Sequence, residues 1–480
     1  MGKRFGVAYQ QSVAPCEGGS VFMADCGGED FLIAPAGSRF VGEPVKLARV
    51  EYIKAPLTHE NAALLREMFP FCAPRRVLAE PMTVGLGDRL GIAGTAHCRL
   101  LNAYPEFVPV LAQQSMRELD LTGRSYEEVL DAATFAVFRA GYRGGFGADG
   151  DHLKTIADIQ SALGLGYTMI TLDVSDFIDK AAAAMSEAEL LAADDRNDER
   201  GALYAGKTFR AEGHEIFISR AEYLRARLLY DRALDFAEQV WRECFAGRET
   251  ADLEISVDET DTETTPAQHW YVASELVRRG VRFQTLAPRF PGEFQKGVDY
   301  IGDAQAFAQG FGVHAAIARS FGYKLSVHSG SDKFSVFPAV AAAAQGRFHL
   351  KTAGTNWLCA MRVVAEAQPA LYREIHAFAL EHFSEAQKYY KVTTDLSKIP
   401  PLDSLSDGAL PSLFDQNDCR QLIHITYGLI LQAKTTDGAY RFRDRLYACW
   451  RENRAAYAKA LRAHIGRHLA LLCGEDTVRG

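Results

Sequence analysis

No stretch of this 480-residue chain carries the run of about 18 apolar residues that a membrane-spanning helix needs, so no span is expected. Residues 1–5 open with two basic side chains, Lys3 and Arg4, but no apolar segment follows that is long enough for a secretory signal. The nine cysteines, at positions 16, 26, 72, 98, 244, 359, 419, 449 and 473, are odd in number, scattered and never spaced as CxxC. That excludes a disulfide scaffold and fits reduced thiols in a cytoplasmic protein. Clusters of Lys and Arg are missing as well, and the net charge of −8 argues against a nucleic-acid partner. There is no repeat at solenoid periods and no Walker spacing. A composition that is 48% hydrophobic and 24% charged is that of an ordinary globular chain.

What does recur is a short apolar or β-branched run ending in polar residues and followed by a helical stretch, the pattern of β/α units in a parallel sheet. The runs fall at residues 90–97, 108–114, 145–151, 167–173, 253–258, 283–289, 324–328 and 348–351. Eight such units predict an α/β protein with a (β/α)8 TIM-type barrel. The barrel is expected over residues 89–368, with an insertion near 177–250 whose charged stretch 194–200 reads as solvated. Residues 1–88 read as a β-containing decoration with a hairpin at 20–24 and 30–35, and residues 369–480 as helices packed on the barrel. Residues 303–321 are Ala-rich with helical spacing and stop before Gly322, and Pro266 sits in the first turn of another helix.

In a barrel the outward face of each strand is apolar and inward polar residues gather at the C-terminal mouth. Strand parity then turns Glu254, Ser256 and Asp258 inward, with Thr171 and Asp173, Thr285 and Arg289, Ser326 and His328, and His349 and Lys351. A lone polar residue on a strand usually plays a structural part. Five adjacent strands aiming such residues at one mouth point to an active site.

Three segments carry the chemistry. Residues 144–154 end in Asp149, Asp151, His152 and Lys154, groups suited to metal ligation or proton transfer, although Asp151 also suits a helix cap. The acidic run 258–263 follows the fifth strand; Asp258 reads as functional, with Glu259 its substitute if the strand ends early, while Asp261 and Glu263 read as solvated. The run 326–334 offers Ser329, Ser331 and Lys333 past the seventh strand, a neighbourhood that often binds anions in barrels. Lys351 reads as a substrate clamp or, alternatively, a Schiff-base lysine. His152, His328 and His349 are the nitrogen donors expected for a catalytic Zn, Mn, Co or Ni ion. His269 reads as a supporting or substrate-contacting group and His424 as a residue lining the mouth from a flanking helix. His314, His464 and His468 read as inert.

The strings 256–265, 286–300, 328–334, 351–357 and 424–428 resemble the tagaturonate epimerase (tagaturonate/fructuronate epimerase) family over roughly residues 90–470. The resemblance implies a hexuronate-catabolic, metal-dependent isomerase interconverting D-tagaturonate and D-fructuronate, with a sugar acid as its partner and room for a homo-oligomer. The two ketonic acids differ at C4 while the ketone lies at C2, so enolisation does not acidify the inverted centre. With no dinucleotide fingerprint, retro-aldol cleavage of C3–C4 and re-addition is the expected route, with Asp151 and Asp258 as acid and base. Arg289 and Lys333 are the expected cations for the substrate carboxylate, aided by Ser329 and Ser331. A metal-dependent aldolase releasing its fragments, or a sugar-acid-binding protein without catalysis, are the alternative readings.

Overall fold

The computed structural model describes residues 6–47, 49–194, 198–260 and 262–479; Asp195, Arg196, Asn197 and Asp261 of the two charged stretches lie outside the described residues. Eight parallel strands close into a barrel: β1 Met82–Leu86, β2 Phe107–Ser115, β3 Gly147–Leu153, β4 Met169–Asp173, β5 Asp252–Ser256, β6 Thr285–Ala287, β7 Lys324–Val327 and β8 Phe348–Thr352. Neighbouring strands pair in sequence order, and β8 closes on β1 with Phe348 opposite Met82 and Thr352 opposite Leu86. The outward-facing apolar residues, Leu253 and Ile255 on β5 or Leu325 and Val327 on β7 among them, are fully buried beneath helices. That burial is what alternation requires of a sheet covered on its outer face.

The first strand corrects the sequence reading. Residues 90–97 are not a strand; the second half of them enters the helix Gly94–Leu101, and β1 lies earlier, inside the stretch read as decoration. The reason is local. Gly91 adopts a left-handed φ of 73° after Asp88, whose carboxylate accepts from the amides of Leu90, Gly91 and Ala93, so the chain turns there instead of extending. Helix signals elsewhere read true. Asp303 caps Ala304–Phe321 and Gly322 ends it at φ 82°, while Thr265 and Gln268 form a capping box on Pro266–Arg278.

Around the barrel, Gly19–Asp25 and Asp30–Pro35 form the expected hairpin within an N-terminal antiparallel sheet. The segment between β4 and β5 holds the hairpin Lys207–Ala211/His214–Ile218 and the long helix Arg220–Val240. Its charged stretch is not simply solvated: Asp198 is gripped by Tyr223 and Arg227, and Asp194 pairs with Arg220. The C-terminal helices build a second core around Trp357, Tyr372, Tyr427 and Trp450, beside the barrel's own. Arg454 bonds Asp25 and Asp30, tying the last helix, Arg454–Leu472, to the N-terminal sheet. Among the described residues no helix is long and apolar enough to cross a membrane.

Candidate active site

Three tiers of polar side chains fill the barrel from bottom to mouth. In the lowest, Lys324 of β7 donates to the carbonyls of Glu80 and Pro81 and to Thr83 Oγ1, and Thr83 Oγ1 lies 2.8 Å from His349 Nδ1. Thr83 and His349 are cross-strand partners on β1 and β8, which explains the pairing. Burial lowers Lys324 to about 7 and His349 to about 3, so His349 is a neutral imidazole below the site. Parity correctly turned it inward. Its depth removes it from the metal-ligand set expected for it.

The middle tier is a charge cluster. Lys351 Nζ of β8 reaches Asp149 Oδ2 at 2.8 Å, Thr171 Oγ1 at 2.6 Å and Glu254 Oε1 at 3.5 Å, and bonds Asp151 as well. Thr285 donates to Glu254 Oε2 at 2.6 Å. Burial opposes the lysine's charge, but the three carboxylates outweigh it and raise its pKa, so Lys351 stays an ammonium. That protonation state argues against a Schiff-base nucleophile. The same lysine holds Asp151 and Glu254 below the usual carboxylate range against their burial, whereas burial wins at Asp149, which rises to about 6. Lys351 lines the floor of the mouth, yet its charge is already shared among acids.

The uppermost tier opens into a cavity of about 450 Å³ lined by Asp151, His152, Asp258, Glu259, Lys296, His328, Ser329, Ser331 and Lys351 among others. His328, just past β7, lies 2.7 Å from Glu254 Oε1 through Nε2 and 3.2 Å from Asp258 Oδ1 through Nδ1. The second approach lacks hydrogen-bond alignment, leaving Nδ1 without a bonded partner. Burial opposes charge on His328, but Asp258 and Glu254 prevail and raise it to about 10; His328 in turn holds Asp258 far below its ordinary value despite burial. Ser256 Oγ donates to Asp258 at 2.5 Å.

His152 enters the mouth for a reason that alternation cannot encode. The β3–β4 register slips between Ile170 and Leu172, and His152 adopts a left-handed φ of 54°. This bulge lets Asp151 and His152, adjacent in sequence, both face the site, an arrangement that costs backbone strain and is typical of functional positions. His152 Nδ1 sits 2.6 Å from Asp151 Oδ1, and its ring meets that of His328 edge-on at 4.9 Å. Asp151 does not cap a helix: the next one, Ile156–Gly164, is capped by Thr155.

One ligand atom each from His152, Asp258 and His328 lie within 4.8 Å of one another, a set of two imidazoles and a carboxylate suited to a divalent transition metal. The unbonded Nδ1 of His328 within this group supports the fit. Asp332, His464 and His468 also converge, but His468 Nδ1 faces the His464 carbonyl and Nε2 accepts from the Asp332 amide, while the Asp332 carboxylate faces Arg420 and His464. That cluster pins the loop after β7 to the last helix. His59, Glu127 and Asp131 form a third grouping toward the surface, where Asp131 is already paired with Arg66.

The other expected residues take different places. Lys333 is 1% exposed and gives its three protons to the carbonyls of Gln295, Val298 and Ser331, so it braces the loop and does not face the cavity. Arg289 lies beyond the short β6, near Glu293 at 3.6 Å; it does not line this cavity but lines the adjoining one, which shares Asp258, Glu259, Lys296, His328 and Ser329. His269 is buried with His314 and Tyr323 among the outer helices. His424, whose ring nitrogens find no partner, is buried against Gly354 and Gly297 at the edge of the mouth. Sequence reasoning missed Lys296 and Arg89. Lys296 Nζ bonds Ser329 Oγ at 3.1 Å, and burial lowers its pKa. Arg89 pairs with Glu118 and stacks on Tyr427, leaving Nη1 unbonded.

An eight-stranded parallel barrel whose C-terminal mouth gathers carboxylates, imidazoles and lysines around a small polar cavity is a (β/α)8 enzyme. The profile of the tagaturonate epimerase family, UxaE, matches residues 9–472. A tagaturonate/fructuronate epimerase of Thermotoga maritima is 40% identical over 448 residues, 92% of this chain and 90% of that protein. The glycerol-complexed crystal structure of fructuronate-tagaturonate epimerase UxaE from Cohnella laeviribosi is 48% identical, with a TM-score of 0.94 over 98% of this chain and 96% of that one. Its native crystal structure matches equally closely, at 47% identity. The chain belongs to the tagaturonate epimerase family.

Proposed function

We propose that this protein interconverts D-tagaturonate and D-fructuronate by a metal-dependent retro-aldol and aldol sequence at C4. The observation that carries the reading is the meeting of His152, Asp258 and His328 at the mouth of a barrel that shares the epimerase family along nearly its whole length. These three residues would hold the cation. When bound, a divalent cation supplies a Lewis acid that polarises the C2 ketone and offsets negative charge developing on the first half of the substrate.

The remaining chemistry falls to the chain's own groups. A carboxylate takes the proton of the C4 hydroxyl; the C3–C4 bond breaks, its electron pair forms the C2=C3 double bond, and C4 becomes an aldehyde. After the aldehyde turns, C3 attacks its other face and the C4 oxygen regains a proton. Asp151, held ionised by Lys351 and His152, is suited to one face. Glu259, exposed and lining the same cavity, is suited to the other. This modifies the pairing expected from sequence: β5 ends at Ser256, and Asp258 joins the imidazoles, leaving Glu259 for proton transfer. Glu254 orients His328 from below.

The purified protein is incubated with D-tagaturonate in deuterated water and followed by NMR. Fructuronate that retains protium at C4 is expected. Absence of fructuronate contradicts the activity, and extensive deuterium at C4 contradicts the route.

A further inference from the structure

A uronate approaching a chain of net charge −8 needs a buried cationic group at the mouth with a donor still to give. Besides His152 and His328, five Lys and Arg residues line the cavity. Lys351 is surrounded by Asp149, Asp151 and Glu254, and Lys154 by Asp173 and Asp176. Arg117 is exposed at the rim and donates to the Tyr389 carbonyl. Two remain. Lys296, on the loop after β6, bonds the Ser329 hydroxyl and has no carboxylate partner among the described residues. Arg89, on the loop after β1 and 2% exposed, uses Nε and Nη2 on Glu118 while Nη1 is left without an acceptor.

Backbone features meet each of these two groups. Gly354 lies against Arg89 without a side chain; a methyl there would stand 3.1 Å from Arg89 Nη1 and 2.2 Å from His424 Nε2. Ser329 holds a left-handed φ of 49° directly after His328, which places its hydroxyl on Lys296 beside the metal-binding group. A strained residue joining an ammonium to the catalytic cluster is a positioning device. An unbonded buried guanidinium nitrogen is costly unless a ligand completes it.

We infer that Lys296 and Arg89 Nη1, with the Ser329 hydroxyl, form the subsite for the C6 carboxylate, and that this anchor keeps the aldehyde half of the substrate in place during epimerisation. The second part rests on the retro-aldol route. Cleavage of C3–C4 leaves a dihydroxyacetone enediolate and a three-carbon fragment bearing the C4 aldehyde, the C5 hydroxyl and the C6 carboxylate. Held only by its carboxylate, that fragment can turn about C4–C5 and present its other face without leaving. The anchor is therefore what separates an epimerase from an aldolase at this site.

The test compares wild type with Lys296→Met, Lys296→Arg and Ser329→Ala, each checked for native circular dichroism. Measured quantities are KM for D-tagaturonate, the competitive Ki of neutral D-tagatose, and dihydroxyacetone released per turnover. Lys296→Met should raise KM for the uronate by roughly 10–100-fold, the usual worth of a charge-assisted contact. The tagatose Ki should move less than about twofold, Lys296→Arg should restore most of the affinity, and free dihydroxyacetone should appear. Equal effects on uronate and tagatose, or no effect, overturn the subsite. A uronate-specific loss without dihydroxyacetone overturns the retention role and leaves the subsite standing. If wild type also incorporates deuterium at C4, the retro-aldol route is what has failed. Should Lys296→Met not fold, Lys296→Gln and Ser329→Ala carry the same comparison, and a KM unchanged in both contradicts the assignment.

Discussion

Replacing Lys351 by Met removes the one ammonium among Asp149, Asp151 and Glu254 while roughly preserving side-chain volume. The three carboxylates are then left buried and uncompensated. Breaking a buried ion pair by removing one partner costs about 3–5 kcal/mol, and three acids on one base place this case toward the upper end. An unfolding entropy of about 2.1 cal/mol/K per residue over 480 residues is about 1 kcal/mol/K, so the expected fall in Tm is about 3–5 °C if the chain unfolds as one unit. The pH dependence provides a second, more specific signature. In the wild type Lys351 holds Asp151 and Glu254 below their ordinary values. Without it, burial and mutual repulsion lift the folded carboxylates above unfolded values of about 3.9–4.3, so the folded variant binds more protons than the unfolded one. Stability present at low pH is then lost as pH rises through the raised values. Thermal unfolding followed by circular dichroism from about pH 6 to 8 should show the variant falling further below wild type as pH increases. A Tm within about a degree of wild type, or a deficit that narrows with rising pH, would falsify the charge-cluster reasoning.

The lowest tier gives a matching test of opposite character. Lys324, lowered to about 7 when folded, binds fewer protons than its unfolded form up to about pH 10.4, so it makes stability rise with pH in that window. Urea unfolding of Lys324→Met at about pH 7 and 9 should show a flatter rise than wild type, and an unchanged slope contradicts the assignment. His328→Ala should purify with little bound transition metal, whereas His349→Ala, changed below the site, should retain it by elemental analysis. Gly354→Ala should displace Arg89 and His424, at a cost of about 1–3 kcal/mol for overpacking, and raise KM for tagaturonate. Unaltered kinetics in a folded Gly354→Ala protein would remove that part of the mouth from the account.

The barrel was legible where alternation is clean. β5 and β7 separate apolar outward residues from polar inward ones along every position, and Glu254 and His328 were placed inside on that ground alone. The first strand was not, because Thr83 and Gly85 interrupt its apolar run, while residues 90–97 look apolar but begin with a glycine turn held by Asp88. Parity gives the face of a residue and not its height in the barrel. That is why His349 looked like a ligand although it lies beside Thr83, two residues below Lys351 on the same strand. His152 required a bulge, a feature that arises from strand pairing and carries no composition signal. Lys333 and Lys296 exchanged roles for a similar reason. Both are loop lysines, and only the path of the loops decides which meets carbonyls and which meets the cavity.

The central claim is that this member of the tagaturonate epimerase family works through a cation held by His152, Asp258 and His328. The most direct measurement is the initial rate of fructuronate formation from tagaturonate by protein stripped with chelator, then reloaded with Zn, Mn, Co or Ni. The account predicts loss of activity on stripping and its return with at least one of these ions in wild type, with no return in His152→Ala, Asp258→Ala or His328→Ala. Full activity in the stripped protein, or full restoration in all three variants, would contradict it.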